Sequence, residues 1–226
     1  IVLDEIEPIL ASKEAEVLHQ LLSRSTPKVQ LIIASATMGR RADAFVERFM
    51  GPECVRVEPK ENPFQHSIRH RVVEVEHVRH MEAAAVRFIE ENHVKRAIIF
   101  VSNPAKLSYL YHFLQERGLT SVTMSQERGK QNRQRAIQAF RNGEARFLLT
   151  TDALARGLDV PDVPWVVHMD LPASVQAYVH RAGRTGRAGK EGTSVVIADR
   201  NTNRQLKKLS HALDVSFETV SRVGPL

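Results

Sequence analysis

Residues 97–118, AIIFVSNPAKLSYLYHFLQERG, hold the fold in miniature. Ala97–Val101 is an unbroken apolar run, too short for a helix and free of charge, as in a strand covered on both faces. Asn103 then stands as a helix N-cap with Pro104 at the first helical position, and Gly118 closes the helix. The stretch is one strand followed by one helix. The same alternation extends to either side of it.

Downstream, strands are expected at Ser121–Met124, Arg146–Thr150, Trp165–His168 and Thr193–Ala198, and helices at Asn132–Arg141, Val175–Gly183 and Arg204–Leu213. Upstream lie a strand at Arg71–Val75 and a helix at Met81–Glu91. With the run at 97, this makes six strands after residue 70, enough for a complete doubly wound parallel sheet. Further back, Pro59-Lys60-Glu61-Asn62-Pro63 breaks the pattern, so residues 59–67 are expected to be a linker. Residues 1–58 offer about three strands: Ile1-Val2-Leu3, read as buried, Val29–Ala34 and Cys54–Val57. A helix falls at Arg40–Met50, with Ala42, Phe45, Val46 and Phe49 on one face. The expected class is α/β, with one complete domain over 68–226 preceded by the tail of another. The chain has no initiator Met and opens in mid-strand, so a segment upstream of Ile1 is expected.

Composition excludes several classes. Of 226 residues, 42% are hydrophobic and 26% charged, which is ordinary for a globular chain. No window approaches the ~18 unbroken apolar residues of a membrane helix. Cys54 is the single cysteine, so a disulfide scaffold is excluded and an intracellular protein is expected, with cytoplasm, nucleus and mitochondrion undistinguished. The net charge of +6 suits a polyanionic partner or simply a soluble surface. His66, His70, His77 and His80 match no standard zinc spacing. Trp165 reads as core and Cys54 as a small buried hydrophobe. Gly183, Gly186, Gly189 and Gly192 read as a flexible, charged turn.

Three strings carry chemistry. Val2-Leu3-Asp4-Glu5 puts two carboxylates after an apolar strand, where acids either hold Mg²⁺ through water and orient an attacking water, or are plain solvated surface. Ser35-Ala36-Thr37 follows the next strand and could bridge to those acids or cap a helix. His180-Arg181-Ala182-Gly183-Arg184-Thr185-Gly186-Arg187 is more specific. Arg184 and Arg187, three apart, would face one way on a helical turn and suit a phosphate chain, each donating bidentately. Ala155-Arg156-Gly157-Leu158-Asp159 adds an acid that could accept from ribose hydroxyls.

In order and spacing these strings resemble the DEAD-box family of ATP-dependent RNA helicases. Val2–Leu10 is similar to the motif that names the family, Ser35-Ala36-Thr37 to its SAT motif and Ile98–Val101 to motif IV. Thr150–Asp159 is similar to motif V with the threonine before it, and His180–Arg187 to motif VI. The resemblance implies RecA-like domains and ATP with Mg²⁺ as cofactors, with ATP hydrolysed between two such domains. It implies that Asp4 helps coordinate Mg²⁺, that Glu5 is the general base, and that Ser35 and Thr37 couple nucleotide to RNA. Asp159 would touch the ribose, Arg184 and Arg187 would reach the γ-phosphate, and His180 would link to the acids. Asn103, Arg128, Arg133, Thr150 and Gly157 would contact the RNA backbone, without sequence preference. The partner would be RNA, with or without a ribonucleoprotein assembly such as a ribosome precursor. No membrane is implied, and the chain is expected to be monomeric.

Departures from the family pattern bear on this. Asp-Glu-Ala-Asp is here Asp4-Glu5-Ile6-Glu7, with a methylene added at the fourth position. The family's Gln-x-x-Arg falls on Lys130-Gln131-Asn132-Arg133, keeping the arginine alone, and the His-Gly before that motif has no match near Ser125-Gln126. No Gly-x-x-x-x-Gly-Lys-Ser/Thr phosphate loop occurs, nor the family's adenine-reading Gln segment; the resemblance puts both upstream of Ile1. Two arginines cannot replace a loop whose amides cradle phosphates. The 226-residue chain alone is therefore expected not to hydrolyse ATP appreciably. The alternative reading is a non-enzymatic RNA- or ribonucleoprotein-binding scaffold on a degenerate helicase fold.

Overall fold

The computed structural model describes residues 1–25, 29–35, 38–58, 67–124, 129–152, 162–187, 189–199 and 201–223. The chain divides into two compact units, Ile1–Pro59 and Lys60–Leu226.

In the second unit seven strands run parallel in one sheet: β3 (Ile68–Val75), β4 (Ala97–Phe100), β5 (Ser121–Thr123), β6 (Phe147–Thr150), β7 (Trp165–His168), β8 (Gly192–Asp199) and β9 (Glu218–Val223). Their order is β5-β6-β4-β7-β8-β3-β9. In register, Phe100 lies beside both Thr150 and His168. Among the described residues, five α-helices cover the sheet: α4 (Met81–Glu91), α5 (Pro104–Gln115), α6 (Gly129–Arg141), α7 (Val175–Ala182) and α8 (Asn203–Leu213).

The two-residue period of the strands sorts the core. Ala97, Ile99, Phe147, Leu149, Val195 and Ile197 pack with Leu107, Leu110 and Leu114 of α5 and with α4. The intervening Ile98, Phe100, Leu148 and Val166 meet Ala136 and Phe140 of α6. Val72, Val196 and Ala198 meet Tyr178 and Ala182 of α7 and Leu206 and Leu209 of α8. Thus α4 and α5 cover one face, and α6, α7 and α8 the other. Trp165, read as core, is half-buried and packs against the core, edge-to-face on Phe88 at 5.6 Å.

The edge strand β9 escapes the sequence reading. Its sequence, Glu218-Thr219-Val220-Ser221-Arg222-Val223, sets two polar residues before each valine and so lacks a two-residue period, and among the described residues it pairs only with β3. Arg71 and Glu74 of β3 hold Glu218 and Arg222 across that pair, at 3.2 and 2.9 Å. Charged, one-sided strands of this kind are common at sheet edges.

The first unit contains β1 (Val2–Asp4) and β2 (Ile32–Ala34), paired in parallel, with α1 (Ile6–Leu10), α2 (Glu14–Arg24) and α3 (Arg40–Met50). Ile6, Leu18, Ala42 and Phe45 form its core. Helices α1 and α2 were not expected, because the string from Val2 reads as one motif. Two other expectations fail. Cys54–Val57 pairs with nothing among the described residues; Val55 and Val57 are 83% and 89% exposed, and Cys54 is only half-buried. Val2 is 68% exposed rather than buried. Apolar character marks a strand only where a neighbour offers its backbone.

A polar chain threads the core of the second unit. His70 Nδ1 lies 2.6 Å from the Tyr178 hydroxyl, which lies 3.0 Å from Ser194 Oγ, itself 2.9 Å from His168 Nε2. Burial pushes the His168 pKa well below its ordinary 6.5, and the positive charges of Arg181 and His70 push the same way. His168 is thus neutral when folded and takes up a proton on unfolding below about pH 6.5. Its contribution to stability is complete above that pH and declines as pH falls, by up to about 1.4 kcal/mol per pH unit. Urea denaturation between about pH 7 and pH 5 should show this loss, and His168→Gln should flatten it.

Candidate functional site

In the first unit the parallel register sets the site. Asp4 lies beside Ala34, so Asp4-Glu5 and Ser35 leave the same, carboxyl-terminal edge of the two-stranded sheet. That edge is where open α/β sheets present ligand-binding groups. Asp4 Oδ1 accepts from the Glu5 amide at 3.0 Å. Glu5 sits at φ 50°, ψ 56°, the left-handed region, which a β-carbon resists. Its side chain is half-buried. Asp4 is an exposed hard carboxylate, a donor set that fits Mg²⁺ bound through water. Among the described residues, no three His, Cys, Asp or Glu side chains converge as a metal cage.

Glu7 takes an unexpected partner. Its Oε1 accepts from the amide of Gly39, the N-cap of α3. A carboxylate there suits the helix dipole. A Cβ on Gly39 would lie 2.8 Å from that oxygen, so the glycine admits the longer side chain. Ala36 and Thr37 lie outside the described residues, as do Arg128, Gly157 and Asp159.

In the second unit the basic string does not form the continuous helical turn expected of it. Helix α7 ends at Ala182, and Gly183 caps it. Arg184 and Arg187 therefore lie in the loop that follows. This loop is pinned, contrary to the flexible turn read from its glycines. The Val163 amide donates to the Arg184 carbonyl at 3.2 Å, and the buried Thr185 hydroxyl donates to the Val163 carbonyl at 2.5 Å. Gly186, at φ +69°, lies against β3: a Cβ there would be 2.6 Å from Ile68 Cγ1 and 2.8 Å from the Ser67 carbonyl. A Cβ on Gly192 would meet Thr185 Oγ1 at 2.0 Å. Arg187 Nε donates to the Gly183 carbonyl at 2.5 Å and lies 3.5 Å from Asp162. Since Val163 and Ser67 precede β7 and β3 and Gly192 is the first residue of β8, the loop sits at the amino-terminal edge of the sheet.

Of the expected RNA contacts, the described ones lie toward the opposite, carboxyl-terminal edge: Asn103 and Arg133 follow β4 and β5, and Thr150 ends β6. Asn103 caps α5, its Oδ1 accepting from the Lys106 amide at 3.0 Å. Thr150, at the end of β6, is 1% exposed, with its hydroxyl donating to the Thr151 carbonyl. So placed, its side chain is not offered to solvent. Arg133 lies half-buried on the first turns of α6, and His180 half-buried near the end of α7.

One further residue belongs to this picture. Arg181 is 3% exposed. Its Nε and Nη2 donate to Asp152 Oδ1 and Oδ2 at 2.5 and 2.7 Å, and its Nη1 to the Asp170 carbonyl at 2.8 Å. Its place in the three-residue arginine spacing was the one signal in the sequence. Nothing there distinguished the buried arginine from its two neighbours.

Comparison with known proteins bears on the whole chain. Residues 80–189 match the family model described as helicase conserved C-terminal domain. A DEAD-box ATP-dependent RNA helicase, CshC, of Bacillus cereus is 33% identical over 218 residues, covering 96% of this chain and 55% of the relative. An ATP-dependent RNA helicase, eIF4A, of Yarrowia lipolytica is 29% identical, covering 92% and 53%. The chain therefore spans about half the length of these curated relatives. Among solved structures, S. cerevisiae Dbp5 bound to RNA and ADP BeF3 superposes with a TM-score of 0.83 at 26% identity, over 97% of this chain and 59% of that one. Mss116p bound to ssRNA and AMP-PNP does so with 0.80 at 25% identity, over all of this chain and 48% of that one.

The pinned loop yields a stability prediction. Gly192→Ala should destabilise the second unit by about 1–3 kcal/mol through overpacking against Thr185. A thermal melt should show this as a loss of about 2–4 °C per kcal/mol.

Proposed function

Because the chain belongs to the DEAD-box family of ATP-dependent RNA helicases and contains its RecA-like C-terminal helicase domain, we propose that the full-length protein hydrolyses ATP to remodel RNA or ribonucleoprotein inside the cell. The observation that carries this reading is the pinned loop that bears Arg184 and Arg187 beyond α7. Guanidiniums borne on a pinned main chain suit charge developing on a transferring phosphoryl group, because less reorganisation is needed at the moment of reaction.

The roles follow from chemistry. Glu5 accepts a proton from the water that attacks the γ-phosphorus, while the oxygen bridging to the β-phosphate departs with ADP. Asp4 would hold Mg²⁺ through water, and that ion would offset phosphate charge when bound. Arg184 and Arg187 stabilise the γ-phosphoryl oxygens. Asp159 accepts from the ribose. Ser35, which follows β2 at the same edge as the acids, and Thr37 couple nucleotide to RNA. Asn103, Arg128, Arg133, Thr150 and Gly157 form the RNA-contact set. Contacts to phosphate and sugar carry no sequence information, so the RNA is held without sequence preference. Glu7, engaged with Gly39, holds the start of α3 beside Ser35.

Two substitutions in the full-length protein test these roles. Glu5→Gln should abolish hydrolysis while ATP-dependent RNA binding persists, because the amide fits but cannot take the proton. Turnover equal to that of the unmodified protein would favour a non-enzymatic RNA-binding scaffold. Arg187→Lys keeps the charge but loses the planar fork. It should lower turnover by about 10³ or more and leave RNA affinity nearly unchanged. Equal losses in turnover and in filter-binding affinity would mean that Arg187 is structural.

A further inference from the structure

The two edges of the sheet in the second unit hold different proposed partners, and one residue touches the supports of both. The carboxyl-terminal edge bears Asn103 at the start of α5. The amino-terminal edge bears the loop with Arg184 and Arg187. Helix α7 runs back from the first edge toward the second, and Arg181 lies in its last turn.

The side chain of Arg181 is spent on the carboxyl-terminal edge. Its fork grips Asp152, which follows β6, and its third nitrogen donates to the Asp170 carbonyl, which follows β7. The Phe100 ring lies 5.2 Å beneath the guanidinium. Asp170 in turn holds the start of α5: its carboxylate accepts from the Ser102 amide at 2.8 Å and from Lys106 Nζ. The main chain of Arg181 serves the other edge. Its carbonyl accepts from the Arg184 amide at 3.1 Å, closing the turn from which the arginine loop departs. A buried charge gripped on three sides has few alternative positions, so a shift of Asp152 or Asp170 must be shared by that turn.

We propose that Arg181 is a positioning residue through which RNA bound near Asn103 sets the placement of Arg184 and Arg187. This rests on the reading that Asn103 meets RNA and the two arginines meet ATP. A continuous network of contacts becomes coupling only when perturbing it changes one site's response to the other. The quantity to measure is therefore the ratio of RNA-saturated to RNA-free ATP turnover, not turnover itself.

In the full-length protein, Arg181→Lys, which keeps the charge and loses the fork, should lower that ratio at least tenfold, with KM for ATP within about twofold. Asp152→Asn, which keeps the shape and loses the charge, should do the same. The double variant should be no worse than either single one, because both break one link. A merely structural role would lower both turnovers in proportion to the folded fraction and leave the ratio intact. That outcome, or additive losses in the double variant, overturns the proposal. If Arg181→Lys does not fold, Asp152→Asn alone decides by the same ratio. Should the unmodified protein show no stimulation by RNA, the functional reading fails and takes this inference with it. Should stimulation be present and survive both substitutions within twofold, this inference alone falls.

Discussion

All seven strands of the second unit run in one direction, and that single fact governs the rest of it. A parallel neighbour cannot be reached by a tight turn, so the chain must cross back over a face each time. Each face must then be apolar, which explains β4, β6 and β8, buried along their whole length. Every crossing also ends in two loops, one at each edge. The sheet thereby separates two sets of groups by the length of a strand. Loops leaving β4, β6 and β7 carry Asn103, Asp152 and Asp170, while loops entering β3, β7 and β8 cradle the arginines.

Legibility in the sequence followed burial. Helices α3 and α4 were read to their ends, because their apolar faces repeat at helical spacing over three turns. The strands β4, β6 and β7 were read within a residue, because a strand buried on both faces has no polar interruption. Where burial is one-sided the signal fades. Helix α2 buries Leu18 alone, and β9 was lost among its charges. Cys54–Val57 had strand composition without a partner.

The candidate site divides in the same way. Asp4, Glu5 and Ser35 were legible as polar residues following apolar runs, and register brought them to one edge. Arg184 and Arg187 were legible as a pair, but their loop was not, since the close approach of Gly186 to β3 and of Gly192 to Thr185 depends on residues far away in the chain. Arg181 was illegible as a buried group. A charge enters a core only where partners meet it, and Asp152 and Asp170 lie 29 and 11 residues away. Its positive charge in turn helps to keep His168 unprotonated, so the polar chain of the core and the ion pair beside it are electrostatically linked.

The ends of the seven-stranded sheet bear on how the chain avoids joining its own copies. A row of unpaired amides and carbonyls invites a foreign strand to add itself, which is how sheets grow into aggregates. One border here is β5, three residues long, offering too short a template to nucleate such growth. The other is β9, whose Glu218 and Arg222 are tied back to Arg71 and Glu74. An incoming strand would have to bring complementary charges or bury unmatched ones. The ion pairs along that border act as a guard against self-templating.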